Sequence, residues 1–381
     1  MSASRRAPCV VVAHAGRQHS HHAAAALAGA GLLAAYWSGL GPGSDPAFAQ
    51  LSERTIGFAW APALRRILER TLPGRASGWG DHLANRLFDR RAAVRLRDLR
   101  PRLVIGYEMA CAELFAIART LGTRTMLDAA SLHHATQDEW RRPLESPRLH
   151  RRIRAVKDRE LALADHVVVA SELAARSYLG GGFSPGRISV VPLGVDRERF
   201  RPGPGGAGGL ALLFVGKLSE TKGVDLLLSA WTDVSRERPG ARLRLAGQGG
   251  WRAALPPGAE LRRPVRDELI ELYQQADLLV LPSRLDGFGL VVAEALACGT
   301  PVVVSDHVGA KDLVVEGVNG WVVPAGSVEA LAARLAWCAD HVEQVRALRP
   351  ACVESVRDAG WDAYARRLVA VVEGILAERP R

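Results

Sequence analysis

Short, wholly apolar runs alternate with longer helix-spaced stretches along this chain, and the rhythm breaks once and then restarts. In the first half, residues 9–13, 103–105, 124–127, 166–169 and 188–191 read as strands, with helices expected over 21–30, 110–121 and 149–164. A run too short for a helix and without polar alternation reads as a strand buried on both faces. Such strands pair in parallel through crossover helices. The break, residues 201–209 (R-P-G-P-G-G-A-G-G), is the most turn-rich stretch and reads as an exposed linker. Beyond it, strands are expected over 211–215, 242–246, 278–281, 301–304 and 321–323, and helices over 223–234, 267–275, 290–297, 328–339 and 362–378. The expected fold class is therefore α/β, with two doubly wound domains, 1–196 and 210–360, joined through 197–209. Ligands of such sheets bind beyond the carboxyl ends of the strands, so a cleft between the domains is the expected site.

The 381 residues are 48% hydrophobic and 24% charged, a globular composition that disfavours disorder, collagen repeats and a coiled coil. No apolar run approaches the ~18 residues of a membrane-spanning helix, and the one after the basic start is too short for a secretory leader. Cys9, Cys111, Cys298, Cys338 and Cys352 are scattered without a C-x-x-C pair, which argues against a disulfide framework or a thiolate zinc site. That usage fits a cytoplasmic location. The net charge of +10 points to anionic partners such as nucleotide phosphates, acidic lipid or nucleic acid. Only four of the 50 Lys and Arg residues are lysines (Lys157, Lys217, Lys222 and Lys311), so a lysine in this chain is conspicuous.

Two segments of the second half can carry chemistry. Around Phe214–Gly223 an apolar strand runs into a glycine turn with Lys217 and Lys222 on either side, ahead of a helix. Two ammonium groups and a helix N-terminus can converge on a diphosphate, although two surface lysines in a solvated loop would leave the same spacing. Further on, a strand ends at Pro282, Gly287 and Gly289 flank Phe288, and a helix begins at Leu290. The glycines let a ligand approach the backbone, and the amides of 288–291 can face an anion. Asp286 precedes the turn. Glu294 sits among Ala293, Ala295, Leu296 and Ala297 and is expected to face inward, where a carboxylate needs donors such as the hydroxyls of a sugar or ribose. An acid favoured by the helix dipole at 286 and a satisfied structural glutamate at 294 are the plainer account.

Together the two segments resemble the donor-binding half of family 4 glycosyltransferases, retaining enzymes of the GT-B fold. Gly216, Lys217, Lys222 and Gly223 fit that family's G-[RK]-x4-K-G, and Asp286, Gly287, Phe288, Gly289 and Glu294 fit its E-x7-E around G-F-G. Pro192, Gly194, Val195, Asp196, Phe200 and Pro202 match its P-x-G-V-D-x3-F-x-P, and Ala164, Asp165, Val167 and Ser171 match A-D-x-V-x3-S. The matches run from about residue 100 to the carboxyl terminus. Two departures stand out. Lys217 replaces the usual arginine, keeping the charge and losing the bidentate fork. Asp286 replaces the usual glutamate and is shorter by one methylene, which bears on which sugar it can meet.

The resemblance implies two Rossmann-like domains facing a central cleft, with the last helix, 361–381, packing back on the first. It implies that Lys217 and Lys222 bind the donor diphosphate with the amides of Gly287, Phe288, Gly289 and Leu290. Glu294 would hold the ribose, Asp286 would orient the sugar, and Val265 and Arg266 would line the base pocket. The donor would be a UDP- or GDP-linked sugar and the acceptor a saccharide or lipid-linked hydroxyl. The departing phosphate would help deprotonate that acceptor, with no dedicated base and no cofactor. Gly16 falls where the family has a glycine loop near the phosphates, and His133 where it often has a histidine near the reacting carbon. An ordinary loop histidine fits position 133 as well.

His14, His19, His21 and His22 cluster in sequence with irregular spacing and no carboxylate or cysteine nearby, which argues against a metal site. No D-x-D occurs in the chain, so phosphate binding falls to lysines and amides and no metal is expected. Residues 86–102 are dense in arginine and interleaved with Leu87, Phe88, Val94, Leu96 and Leu99. They suit either a basic amphipathic helix on the anionic inner face of a membrane or the solvated helix face of an arginine-rich protein. Nucleic acid is not an expected partner, because no recognition motif is present. The rival readings are a nucleotide-sugar epimerase on the same fold and a non-catalytic nucleotide-sugar-binding protein. A dinucleotide oxidoreductase is disfavoured because no G-x-G-x-x-G follows the first strand.

Overall fold

A computed structural model describes residues 9–40, 46–58, 77–140, 145–249, 251, 254–264 and 266–378. The chain divides into two compact units. Met1–Val169, Tyr178–Val191 and Tyr364–Arg381 form the first, and Ala170–Ser177 and Pro192–Ala363 the second. In the first unit β1 (Val10–His14), β2 (Leu33–Ser38), β3 (Thr55–Gly57), β4 (Leu103–Tyr107), β5 (Arg124–Ala129), β6 (His166–Val169) and β7 (Ile188–Val190) build one sheet in the order β3-β2-β1-β4-β5-β6-β7. In the second, β8 (Ala211–Val215), β9 (Arg242–Ala246), β10 (Ala259–Arg262), β11 (Leu278–Leu281), β12 (Val302–Ser305) and β13 (Gly320–Val323) run in the order β10-β9-β8-β11-β12-β13. Every pairing in both sheets is parallel. The strand order reverses between β1 and β4 and between β8 and β11, and the loops beyond the carboxyl ends of those strands are where ligands of such sheets bind.

All residues of β1, β4, β11 and β12 are buried, which is why the interior strands read as unbroken apolar runs. The strands that sequence reading misses are β2, β3 and β10. The last two lie at sheet edges, and Ala-Glu-Leu-Arg in β10 carries the charge that keeps an edge from pairing with another chain. The helix Ser77–Leu99 contains most of the arginine-rich stretch. It buries Phe88, Ala92 and Leu96, leaving Val94 and Leu99 exposed.

The Pro/Gly stretch is not a free linker. Gly205 N–H donates to the Gln274 carbonyl at 2.9 Å and Gly206 N–H to Asp277 Oδ1 at 3.1 Å. Arg349 and Arg346 hold the carbonyls of Gly203 and Gly208 at 3.1 and 3.0 Å. These bonds strap residues 203–208 onto the second unit, whose main segment begins at Pro192 and not at 210. Residues from Tyr364 onward belong to the first unit, where Arg102 donates to the Leu376 carbonyl at 2.7 Å.

Two buried acids hold the loop after β4. Glu160 accepts from Met109 N–H at 2.8 Å and Cys111 N–H at 2.9 Å. Asp89 accepts from Glu113 and Leu114, both at 2.8 Å, at the start of the helix Ala112–Thr120. Burial lifts the Glu160 carboxyl to about 8 against the pull of those amides. Between its ordinary value and about 8 the folded chain keeps a proton that the unfolded chain has lost, so stability falls as pH rises. From about pH 6.5, where histidines no longer dominate, to pH 8, Glu160→Gln is expected to remove a fall of about 1.4 kcal/mol per pH unit. Denaturant melts across that window check this, and an unchanged slope would show that Glu160 is ionised in the fold.

Candidate functional site

Two loops meet beyond the carboxyl ends of β8 and β11. Gly216 leaves β8 at φ 152°, and its N–H donates to the Ala246 carbonyl at 3.0 Å. Leu218 N–H donates to Gln248 at 2.9 Å, which fastens the lysine loop beside the end of β9. Gly223, at φ 71°, precedes the helix Val224–Glu237, and a Cβ there would lie 2.0 Å from the Pro282 carbonyl oxygen. Only glycine lets that helix start against the β11 loop. Arg284 closes the same seam with two nitrogens on the Asp225 carboxylate at 2.7 and 2.6 Å. Lys222 Nζ lies 2.5 Å from Asp286 Oδ2. Lys217 is exposed and has no carboxylate partner among the described residues.

Gly289, at φ 88°, caps the helix Leu290–Ala297, and a Cβ there would come within 2.9 Å of Val308. Phe288 is buried, and the carbonyls of its turn face protein. Ser171 Oγ donates to the Gly287 carbonyl at 2.7 Å and Gly309 N–H to that of Asp286 at 3.0 Å. The first amides of the helix have no intrahelical acceptor and form its positive end. One turn on, Glu294 Oε2 accepts from the Tyr273 hydroxyl at 2.7 Å. Burial raises the Glu294 carboxyl, and the tyrosine opposes that rise. The bond orients the carboxylate and leaves Oε1 for a second donor.

The structure thus brings together Gly216, Lys217, Lys222, Asp286, Gly287, Phe288, Gly289, Leu290 and Glu294 in the second unit. Arg266 opens the helix Arg266–Gln275, and Val265 lies outside the described residues. Gly16 and His133 belong to the first unit. The Gly16 N–H is turned onto His14 Nδ1 at 2.7 Å. His133 is buried with its ring beside Gly181, where a Cβ would come within 2.7 Å. Burial lowers its pKa to about 4. The four clustered histidines diverge. His19 Nε2 meets both Asp128 oxygens at 3.1 and 3.0 Å, while His21 and His22 pack on Phe48. Among the described residues no three His, Cys, Asp or Glu side chains gather as a metal site.

Sequence reasoning missed Tyr273, Arg284 and Asp225. None lies at a motif spacing, and only the fold brings Tyr273 to Glu294 from another helix. Lys222 and Asp286 were expected to meet different parts of a ligand, and they neutralise each other. A part-exposed pair of this kind is worth up to about 1 kcal/mol. Asp286→Asn is therefore expected to tighten inorganic pyrophosphate binding up to about five-fold and Lys222→Ala to weaken it, by calorimetry. Weaker binding in Asp286→Asn would show that the pair does not compete with an anion.

Residues 209–341 match the family described as Glycosyl transferases group 1, and residues 41–199 that described as Glycosyltransferase Family 4. The glycogen synthase of Mycobacterium tuberculosis is 31% identical over 356 residues, covering 86% of this chain and 82% of that protein. The D-inositol 3-phosphate glycosyltransferase of Segniliparus rotundus is 36% identical over 210 residues, 49% of this chain and 46% of that protein. The chain thus spans about half the length of the latter relative. Among solved structures, sucrose-phosphate synthase from Thermosynechococcus elongatus aligns with TM-score 0.69 at 19% identity, covering 98% of this chain and 100% of that one. Anabaena HepE, solved in complex with UDP, aligns with TM-score 0.68 at 14% identity, covering 97% and 100%. These structures share the two-domain α/β GT-B fold.

Proposed function

The chain belongs to the family 4 glycosyltransferases, and on that premise we propose that it moves a sugar from a nucleoside-diphosphate donor to a hydroxyl acceptor, retaining configuration and using no metal. One observation carries the reading. A single backbone seam in the second unit presents two lysines, a helix N-terminus and a carboxylate with one oxygen held by Tyr273. In the proposed step the bond from the anomeric carbon to the phosphate oxygen breaks, and the acceptor oxygen bonds to that carbon on the same face. The acceptor proton passes to the leaving phosphate. Charge building on the diphosphate meets Lys217, Lys222 and the amides of Gly287–Leu290. The diphosphate draws Lys222 away from Asp286, and the freed carboxylate accepts from a sugar hydroxyl. Glu294 Oε1 accepts from the ribose, and Val265 and Arg266 flank the base.

The relatives, an inositol-phosphate glycosyltransferase and a glycogen synthase, support a hydroxyl acceptor. The UDP held by HepE supports a uridine donor. We assign no step to Gly16, whose amide is engaged by His14, or to His133, packed on Gly181. Lipid attachment through residues 86–102 is left out, because Phe88, Ala92 and Leu96 are buried within the first unit.

Thermal unfolding with UDP, GDP and ADP tests the donor. A ligand at about 100 times its Kd adds about 2.7 kcal/mol, read as a rise in Tm of several degrees. One nucleoside diphosphate is expected to give that rise, and Glu294→Ala to lose it. Lys222→Ala is expected to cut transfer at least about 100-fold with the fold intact, since it removes one of the groups that meet the leaving charge. No shift with any diphosphate, or full turnover in Lys222→Ala, would overturn the assignment.

A further inference from the structure

The first unit contains a cavity of about 390 Å³ whose lining includes His82 and Arg86 of the helix Ser77–Leu99, Met109, and Arg152, Val156 and Arg159 of the helix Pro147–Leu163. Its volume is that of a small-molecule site. The acceptors on its wall are already engaged. Both oxygens of Asp89 take backbone amides, and Glu113 holds Arg159 at 2.8 Å. Its donors are not. His82 is 6% exposed, and neither ring nitrogen has a hydrogen-bond partner. Its ring lies edge-on to Trp79, and the Arg152 guanidinium lies over that same indole at 5.3 Å. Arg152 makes no hydrogen bond or ion pair among the described residues. Arg86, half-buried, makes no hydrogen bond or ion pair among the described residues. A buried polar group without a partner calls for a missing one; His82 is such a group, and the half-buried Arg86 and the exposed Arg152 add two unpaired donors at the border of the same cavity.

We propose that this cavity binds a phosphomonoester on a small organic skeleton. The lining sets Arg86, Arg152 and Arg159 against Asp89 and Glu113; with Arg159 paired to Glu113 and both Asp89 oxygens on backbone amides, Arg86 and Arg152 have no hydrogen-bonding acceptor of their own among the described residues. A phosphomonoester carries about −1.5 to −2 near pH 7 and three acceptor oxygens, enough for two guanidinium groups and one imidazole N–H. The apolar wall formed by Met109, Ala112, Ala155 and Val156 takes the carbon skeleton. The site is built wholly within the first unit and does not depend on the donor reading. It also gives part of the arginine-rich stretch a use that neither lipid nor nucleic acid supplies.

Calorimetry on the full chain tests this, in a Lys222→Ala background so that the lysine loop does not dominate phosphate binding. Glucose 6-phosphate, inorganic phosphate and glucose are the probes. Saturable binding of glucose 6-phosphate is expected, weaker binding of phosphate, and none of glucose. Adding Arg86→Gln and Arg152→Gln is expected to lower the glucose 6-phosphate affinity at least about ten-fold. Arg152→Gln alone, at an exposed position that cannot unfold the chain, is expected to give part of that loss. The His82 ring resonances are expected to shift on titration with glucose 6-phosphate and to stay still with glucose. No binding of either phosphorylated probe, equal affinity in the arginine variants, or an unmoved His82 signal would overturn the proposal.

Discussion

The backbone at residue 223 comes so near the Pro282 carbonyl that a Cβ would lie 2.0 Å from its oxygen. The candidate site depends on that contact. It sets the loop after β8 against the loop after β11, and two charged pairs then span the seam. They differ in kind. Arg284 grips Asp225 with two parallel nitrogens, a geometry that fixes orientation as well as distance. Lys222 meets Asp286 through one ammonium, a point charge on a flexible stem. The arginine pair therefore serves as scaffold, and the lysine pair is the contact that a competing anion can open without loosening the seam.

The legible part of the site was the part that backbone geometry imposes. Gly216, Gly223 and Gly289 sit where φ is positive, and two of the four lysines lie between the first two, so spacing alone drew attention to them. Glu294 was legible as an acid in an apolar helix face. Tyr273, which orients it, was not, because a hydrogen bond between two helices leaves no period in either. Ser171 shows the intermediate case. It was visible as a motif position, but its use, donating to the Gly287 carbonyl, needed the segment 170–177 to fold with the second unit.

The same distinction runs through the fold. Most interior strands announce themselves because both of their faces are covered, although the interior β2 did not; at the edges, the three-residue β3 is too short to show a pattern and β10 carries charge and so reads as loop. The Pro/Gly stretch misled for a related reason. Composition predicts a lack of regular structure, and that was right, but it is silent on whether an irregular segment is fastened. The straps come from Gln274, Asp277, Arg346 and Arg349, all more than 60 residues away in sequence.

Arginine abundance makes charge a poor guide in this chain, and hydrogen-bond occupancy a better one. Most arginines that the structure describes in contact are engaged by carbonyls or acids, as at Arg102, Arg284, Arg346 and Arg349. Buried acids are engaged in the same way, with both oxygens of Asp89, Glu160 and Asp277 taken. Against that background an unengaged donor carries information. Among the lysines, Lys157 meets Glu108 at 3.3 Å and Lys311 the Asp306 carbonyl at 2.8 Å, while Lys222 holds Asp286 and Lys217 stands in solvent. The rarity of lysine singled out four positions; of these only Lys217 has no acceptor among the described residues, and Lys222 is held by a single acid that an anion can displace. In the first unit several arginines lack an acceptor among the described residues, and Arg86 and Arg152 are set apart by bordering one cavity beside an imidazole whose ring nitrogens have no hydrogen-bond partner. In a protein this basic, an anion site is marked by donors that no internal acceptor has taken up, not by positive charge as such.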